Sequence, residues 1–367
     1  MKRPQRSCVI LTAAILAAAI CAACDYRGED TTREKELTPS STVKTAVGGA
    51  GSTFMAPIMN AWINAYKQTH PGTSINYRAI GSGAGISELK QKTLEFAGSD
   101  APLSDSEIQQ MYPVVQVPVT AGAICAAYNV PGLTAPLRLS GATLAEIFLG
   151  EIISWQDPAI ARENPGAKLP RAAIIVVHRT DASGSTSIFS SYLAKVSAEW
   201  SRRAGQGLTI NWPVGIGAEG SKGVLDFVKQ NPGTIGYGEL GYAKERSLPA
   251  AQIQNRAGTF VEASPASTTA AVEAFLDALS KDDRAPIVDP PASAKDAYPL
   301  AGLTYVLVPK DGHDAEQRRA LKDFLDYAAT TGQDAANALS YAKLPKSLQQ
   351  HAQSSLDGLT ADGQPVK

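Results

Sequence analysis

Histidine and cysteine are scarce in this chain of 367 residues, four of each. The scarcity excludes whole classes of chemistry. His70, His178, His313 and His351 stand in no metal-ligand spacing. No G-x-S-x-G nucleophile elbow occurs. Gly215 to Lys222 has Gly, four residues and Gly220, but then Ser221-Lys222, the reverse of the order a P-loop requires. His178 beside Arg179 is the one candidate base, and at the end of an apolar strand it reads better as a structural residue. A phosphatase or esterase, which needs a nucleophile, a base and often a metal, is therefore the weaker reading. An excess of basic charge is missing as well. The formal net charge is −1; residues 1–23 hold Lys2, Arg3 and Arg6 and no acid, so without them 31 basic residues face 35 acidic ones. Nucleic-acid binding wants a basic surface excess, so an anionic ligand would have to be held by local groups.

The N-terminus reads as a targeting segment. Lys2, Arg3 and Arg6 form a positive region, and the apolar run Val9 to Ile20 is too short to span a bilayer comfortably. Cys21-Ala22-Ala23-Cys24 follows and looks like a lipobox, with Cys21 in place of the usual Leu or Val. Residues 1–23 are then a lipoprotein signal peptide, and Cys24 bears the lipid. Residues 24–45 are polar and rich in Ser and Thr, as a flexible tether is. With Cys8 and Cys21 in the signal and Cys24 acylated, only Cys125 remains in the folded part. It is expected to be a buried free thiol, and no disulfide framework is possible.

The stretch AAIIVVHRTDASGSTSIFSSYLAKV, residues 172–196, organises the rest. Apolar, mostly β-branched residues from Ile174 to Val177 predict a buried strand. Ile188, Phe189, Tyr192, Leu193 and Val196 share one helix face. Between them Arg179, Asp181, Ser183, Gly184, Ser185 and Thr186 form a polar loop into a helix start. The first N–H groups of a helix have no partner within it, and the helix dipole favours an anion there. The hydroxyls add donors, and Arg179 adds a guanidinium fork suited to a tetrahedral oxyanion. One such loop is more often a plain Ser-capped surface helix, but the chain repeats the device. Gly48 to Phe54 is a Gly-rich loop before an amphipathic helix marked by Phe54, Ile58, Trp62 and Tyr66; Pro57 places the helix start close to Thr53. A strand with Ile75, Tyr77 and Ala79 leads through Gly81-Ser82-Gly83-Ala84-Gly85 to another helix. Phe96-Ala97-Gly98 ends on Ser99-Asp100. Val114–Val119, Gly122–Tyr128, Thr234–Tyr237 and Leu303–Val308 are strand-like, with helices between and after them. The alternation predicts an α/β fold with largely parallel sheets.

These loops resemble the phosphate-binding proteins of phosphate-specific ABC transporters. The resemblance rests on GAGSTFMAPIMNAW, the IGSGAG loop, AGSDAPLS and HRTDASGSTSIFSSYL, which come in the family order, and runs from about Val47 to Leu359. It implies a type II periplasmic binding protein: two α/β domains joined by two crossing strands, with the ligand cleft between them. Residues 46–120 and 297–367 would make domain I, residues 121–296 domain II, with the crossings near Val119 and Ala297. It further implies that Thr53 gives a hydroxyl, Phe54 a backbone N–H, and Ser82 a second hydroxyl. Asp100 would be the carboxylate acceptor, Arg179 the charged donor with Asp181 supporting it, and Ser183, Gly184 and Ser185 the helix-start donors. Ala182 and Ser185 depart from the family pattern, where Gly and Thr are frequent; Ser185 keeps the hydroxyl. The expected partners are inorganic phosphate and an ABC permease with its ATPase, reached by a monomer that is extracytoplasmic, periplasmic or at the cell surface, and lipid-anchored to the membrane. No cofactor, metal or covalent chemistry is implied. The closest rival ligand is another tetrahedral oxyanion, sulfate or molybdate. Asp100 speaks against it, because only an ion that brings its own proton can donate to a carboxylate. From position alone, Asp100 could instead simply cap the turn into Ala101-Pro102.

Overall fold

In a computed structural model, residues 44–133 and 135–366 are described. The lipobox with Cys24, and most of the tether, lie outside them. Nine strands form the main sheet: β1 (Thr45–Gly51), β2 (Thr73–Ala79), β3 (Phe96–Ser99), β4 (Val114–Asn129), β5 (Ile175–Arg179), β6 (Ile216–Ala218), β7 (Thr234–Glu239), β8 (Ala301–Pro309) and β9 (Tyr341–Ala342). Their order is β2-β1-β3-β8-β4-β7-β5-β6, with β9 on β4. Two parallel groups, β2-β1-β3 and β7-β5-β6, flank the antiparallel centre β8-β4. The expected alternation is met in the flanks. The centre departs from largely parallel pairing because β4 and β8 join the groups by neighbour contact and not through a crossover helix.

Sequence reading split β4 in two, yet it runs unbroken for 16 residues. It pairs β8 from Val114 to Ala123 and β7 from Ile124 to Asn129. The register slips at Thr304/Tyr305, where Thr304 faces Thr120 and Tyr305 faces Pro118. Val119 is the extra residue, next to a proline that cannot donate to the ladder. The Gln333 amide takes up the Val119 carbonyl at 2.8 Å. Beside the centre, Ile124 N–H reaches Leu300 O at 2.9 Å and the Tyr298 hydroxyl reaches Ile124 O at 3.0 Å.

The helices that matter for the site are α1 (Ala56–Thr69), α2 (Ser82–Lys90), α3 (Gly184–Val196), α4 (Gly220–Gln230) and α5 (Leu240–Glu245). Each of α1 to α4 follows a strand of a parallel group, so each starts beside the carboxyl end of that sheet, where α/β folds place ligands. α1 buries Ile58, Trp62 and Tyr66 as its four-residue spacing predicts. It starts at Ala56 and not at Thr53, because the Ser52 hydroxyl accepts the Met55 N–H and holds Thr53 and Phe54 in the loop. In the other flank, Phe148, Phe189, Trp200, Trp212 and Tyr237 form a ring-on-ring core, with Phe189 stacked on Tyr237 at 4.4 Å. Rings of this size stabilise by roughly 1.5–3 kcal/mol each on burial, and the Tyr237 hydroxyl in this core accepts the Arg179 N–H at 3.3 Å. Cys125 is a buried free thiol, as expected. Among the described residues no helix is long and apolar enough to cross a membrane.

Candidate functional site

The carboxyl ends of the two parallel groups converge, and so do all the loop residues singled out above. Arg179 ends β5 and is 3% exposed, which rules out a surface arginine. Its Nε donates to Asp181 Oδ1 at 2.7 Å, and Nη2 donates to Asp181 Oδ2. Nη1 donates to Ser221 Oγ at 3.1 Å. A guanidinium has five donors, so one hydrogen on each terminal nitrogen is left over from these contacts. Gly220 N–H also reaches Asp181 Oδ1, at 3.0 Å. Burial acts upward on the Asp181 carboxyl, but the hydrogen bonds and charge of Arg179 outweigh it and hold the group below the usual carboxylate range.

Beyond this pair, α3 begins. Ser183 Oγ caps it by accepting Thr186 N–H at 3.2 Å, and Thr186 Oγ1 meets the Tyr237 hydroxyl at 2.6 Å. The first-turn amides of Gly184 and Ser185 have no acceptor within the helix. Ser185 Oγ is buried and has no hydrogen-bond partner among the described residues. An unpaired buried hydroxyl costs about 1–3 kcal/mol, so its presence at a helix start marks a place where a ligand oxygen would be stabilised.

Asp100 follows β3 and is 4% exposed. It does not cap its own turn: Ser99 does, with Oγ donating to Ala101 O at 2.5 Å and accepting Ala101 N–H at 3.2 Å. The Asp100 carboxylate instead accepts from Ser52 Oγ at 2.7 and 2.6 Å and from Thr304 Oγ1 at 3.1 Å. Ser82 Oγ lies 3.4 Å from Oδ2 and accepts the Asp100 N–H at 3.3 Å. Burial pushes the carboxyl up to about 6; the Ser52 and Thr304 hydroxyls, the Arg179 charge and Ser82 restrain the rise.

The two sides touch. Gly83 N–H donates to Ala182 O at 3.0 Å. Thr53 Oγ1 lies 3.2 Å from Ser221 Oγ and accepts Ser221 N–H at 3.3 Å. The Tyr242 hydroxyl donates to Thr53 O at 3.3 Å. A Cβ on Gly184 would come within 2.6 Å of Ser82 Oγ and 2.7 Å of Asp100 Oδ2, so only glycine allows the helix start this near the carboxylate. Phe54 places its backbone in the same loop while its ring lies edge-on to Tyr341, whose hydroxyl donates to Phe54 O at 2.5 Å.

Sequence reasoning missed Ser52, Ser221 and Thr304. Ser221 had a signal, since it opens a helix after a Gly-rich loop like the other donors. Ser52 lay one residue from Thr53 in a loop already singled out. Thr304 sits inside the run LTYVLV and had none. His178 is structural: its ring stacks on Trp212 at 4.8 Å, Nδ1 lies 3.1 Å from Arg179 O, and burial lowers its pKa. Among the described residues no cluster of three or more His, Cys, Asp or Glu side chains is arranged to hold a metal.

Comparison with known proteins places the chain in context. Residues 37–331 match the model of the PBP superfamily domain. The chain is 40% identical over 315 residues to the phosphate-binding protein PstS of Xylella fastidiosa, covering 85% of both chains. It is 39% identical over 311 residues to PstS of Pasteurella multocida, covering 84% of this chain and 88% of that one. A crystal structure of a phosphate-binding protein from Stenotrophomonas maltophilia superimposes with a TM-score of 0.66 at 19% identity, over 84% of this chain and 93% of the other, which speaks for the fold.

Proposed function

Because the chain belongs to the PBP superfamily and, within it, to the phosphate-binding PstS proteins, we propose that it captures inorganic phosphate and delivers it to an ABC permease and its ATPase. It does so without covalent chemistry or a cofactor. The observation that carries this reading is that donors and an acceptor meet where α3 starts: Gly184 packs against Asp100, and the Ser185 hydroxyl next to it in the chain is buried without a partner among the described residues. Arg179, whose charge acts on the same carboxyl, adds unused donors. Donors alone would suit any tetrahedral oxyanion. The carboxylate facing them suits one that keeps a P–OH, and it disfavours sulfate or molybdate, whose oxygens would meet its lone pairs. Calorimetry of the chain without its first 24 residues, against phosphate, sulfate, molybdate and arsenate, tests this. Phosphate and arsenate should bind; an equal response to sulfate would sink the assignment.

The phosphate site is built as Thr53, Phe54, Ser82 and Asp100 from one side, and Arg179, supported by Asp181, with Ser183, Gly184 and Ser185 from the other. The two sides belong to separate lobes, residues 46–120 with 297–367 and residues 121–296. A ligand that touches both stabilises the closed arrangement by its differential contacts. The Gly83–Ala182 and Thr53–Ser221 contacts support closure along this seam. Small-angle scattering should show a smaller radius with saturating phosphate, and an identical curve would rule out the hinge. The lipobox supports an extracytoplasmic protein anchored through Cys24. Cys24→Ser should change both the membrane partition and the mass of the product; if neither moves, the anchor is not there.

A further inference from the structure

Ser52 has every hydrogen-bonding group committed. Its N–H donates to Gly98 O at 2.8 Å, and its carbonyl accepts from the Tyr77 hydroxyl at 3.0 Å. Its Oγ accepts the Met55 N–H at 3.2 Å. A hydroxyl has a single proton. With the backbone N–H fixed on one lone pair, that proton is directed at Asp100, between Oδ1 at 2.7 Å and Oδ2 at 2.6 Å. The residue is fully buried, so solvent does not compete for the proton.

This leaves part of Asp100 free. A carboxylate offers about four acceptor positions. Thr304 donates to Oδ1, the one Ser52 proton lies between Oδ1 and Oδ2, and Ser82 makes a longer contact with Oδ2, so three donors leave about one position unfilled. Gly184 packs against the same carboxyl so closely that no side chain fits there. The charged and titratable groups around the carboxyl are Arg179, whose charge favours ionisation, Glu239 at the end of β7, and the buried phenols of Tyr77 and Tyr341. None of these donates a hydrogen bond to it; the three hydroxyls do.

We propose that Ser52 is a specificity-determining positioning residue: its one proton holds Asp100 in place as an acceptor, so the site takes an oxyanion that brings a proton and refuses one that does not. The inference rests on Asp100 facing the ligand. Without Ser52, Asp100 loses its shortest donor and protonates more readily. A protonated carboxyl is a donor through its O–H, and a donor at that point welcomes a fully deprotonated anion such as sulfate.

The test is calorimetry with phosphate and with sulfate between about pH 5 and about pH 8, on the parent, Ser52→Ala, Ser52→Cys, Thr304→Val and Asp100→Asn. In the parent, the preference for phosphate should collapse as the pH falls through the Asp100 range. Ser52→Ala should move that midpoint upward by about one pH unit and cut the neutral-pH preference for phosphate about tenfold, as loss of a hydrogen bond to a charged group does. Ser52→Cys keeps the shape with a weak donor and should follow Ser52→Ala, which carries the test if the alanine protein does not fold. Thr304→Val should shift the midpoint the same way by less. An unmoved midpoint in both Ser52 variants, whether or not affinity falls, reduces Ser52 to packing and overturns the inference. Failure of the underlying reading looks different: Asp100→Asn itself would then keep the parent's preference.

Discussion

Arg179 and Asp100 are both almost wholly buried, at 3% and 4% exposed, yet they are held in unlike ways. Arg179 is neutralised by a carboxylate two residues away and steadied by a hydroxyl 42 residues on, all from one flank of the sheet. Asp100 has no cation in hydrogen-bond contact. It is held by neutral hydroxyls 48, 18 and 204 residues distant along the chain. On the guanidinium side, Asp181 is held below the usual carboxylate range by the hydrogen bonds and charge of Arg179. The carboxylate side titrates, because hydroxyl dipoles offset burial only in part and leave the group at about 6. On the proposed function, attraction for an anion and choice among anions then rest on separate residues, and the second titrates near neutral pH.

The largest expected effect comes from erasing the acceptor. Asp100→Asn keeps the size and adds an N–H, so the preference for phosphate over sulfate should fall by up to about 10⁴-fold, the discrimination that sites built for one hydrogen-bonding group reach. Competition calorimetry with both ions measures it, and an unchanged ratio would leave selectivity to other groups. Next is the anchor. Arg179→Ala should weaken phosphate binding by roughly 2–5 kcal/mol, the cost of truncating one partner of a buried charge pair, while leaving the ratio of the two ions nearly where it was. A loss below about 1 kcal/mol would be what an exposed arginine gives.

The smallest effect concerns another buried acid, which sharpens the contrast because it forms no ion pair among the described residues. Glu239 caps α5 through the N–H groups of Gly241 and Tyr242. Burial pushes it from 4.5 up to about 8 despite those bonds. Its folded form then binds a proton that its unfolded form releases between pH 4.5 and about 8. Its contribution to stability is therefore full below 4.5 and declines as pH rises, by at most about 1.4 kcal/mol per pH unit. Urea unfolding across that window should show the decline, and Glu239→Gln should flatten it.

Much of this could be read from residue order. The Arg179–Asp181 pair is legible because its partners are two apart at a strand end. The Ser183 cap and the α1 face of Ile58, Trp62 and Tyr66 follow from local spacing. Asp100 was legible as a candidate, but position alone left it undecided between a turn cap and a ligand group. In the fold Ser99 satisfies the turn, and the Asp100 carboxylate accepts from Ser52 and Thr304 instead. The unbroken β4 was misread as two strands because Pro118 and the small residues from Thr120 to Gly122 look like punctuation. In the fold they lie at a bulge and against close-packed neighbours.

By itself the sequence determined the strand–loop–helix units and the residues whose bonding is local, since capping, helix periodicity and a two-residue ion pair need only the chain's own short-range geometry. Only the tertiary structure decided what surrounds Asp100. Thr304 reaches it because β8 pairs antiparallel with β3, Tyr305 opposite Ser99, and Ser52 reaches it because β1 and β3 lie side by side in register. Such contacts depend on which strands become neighbours. That is settled by burying both faces of one sheet, and no short stretch of residues encodes it.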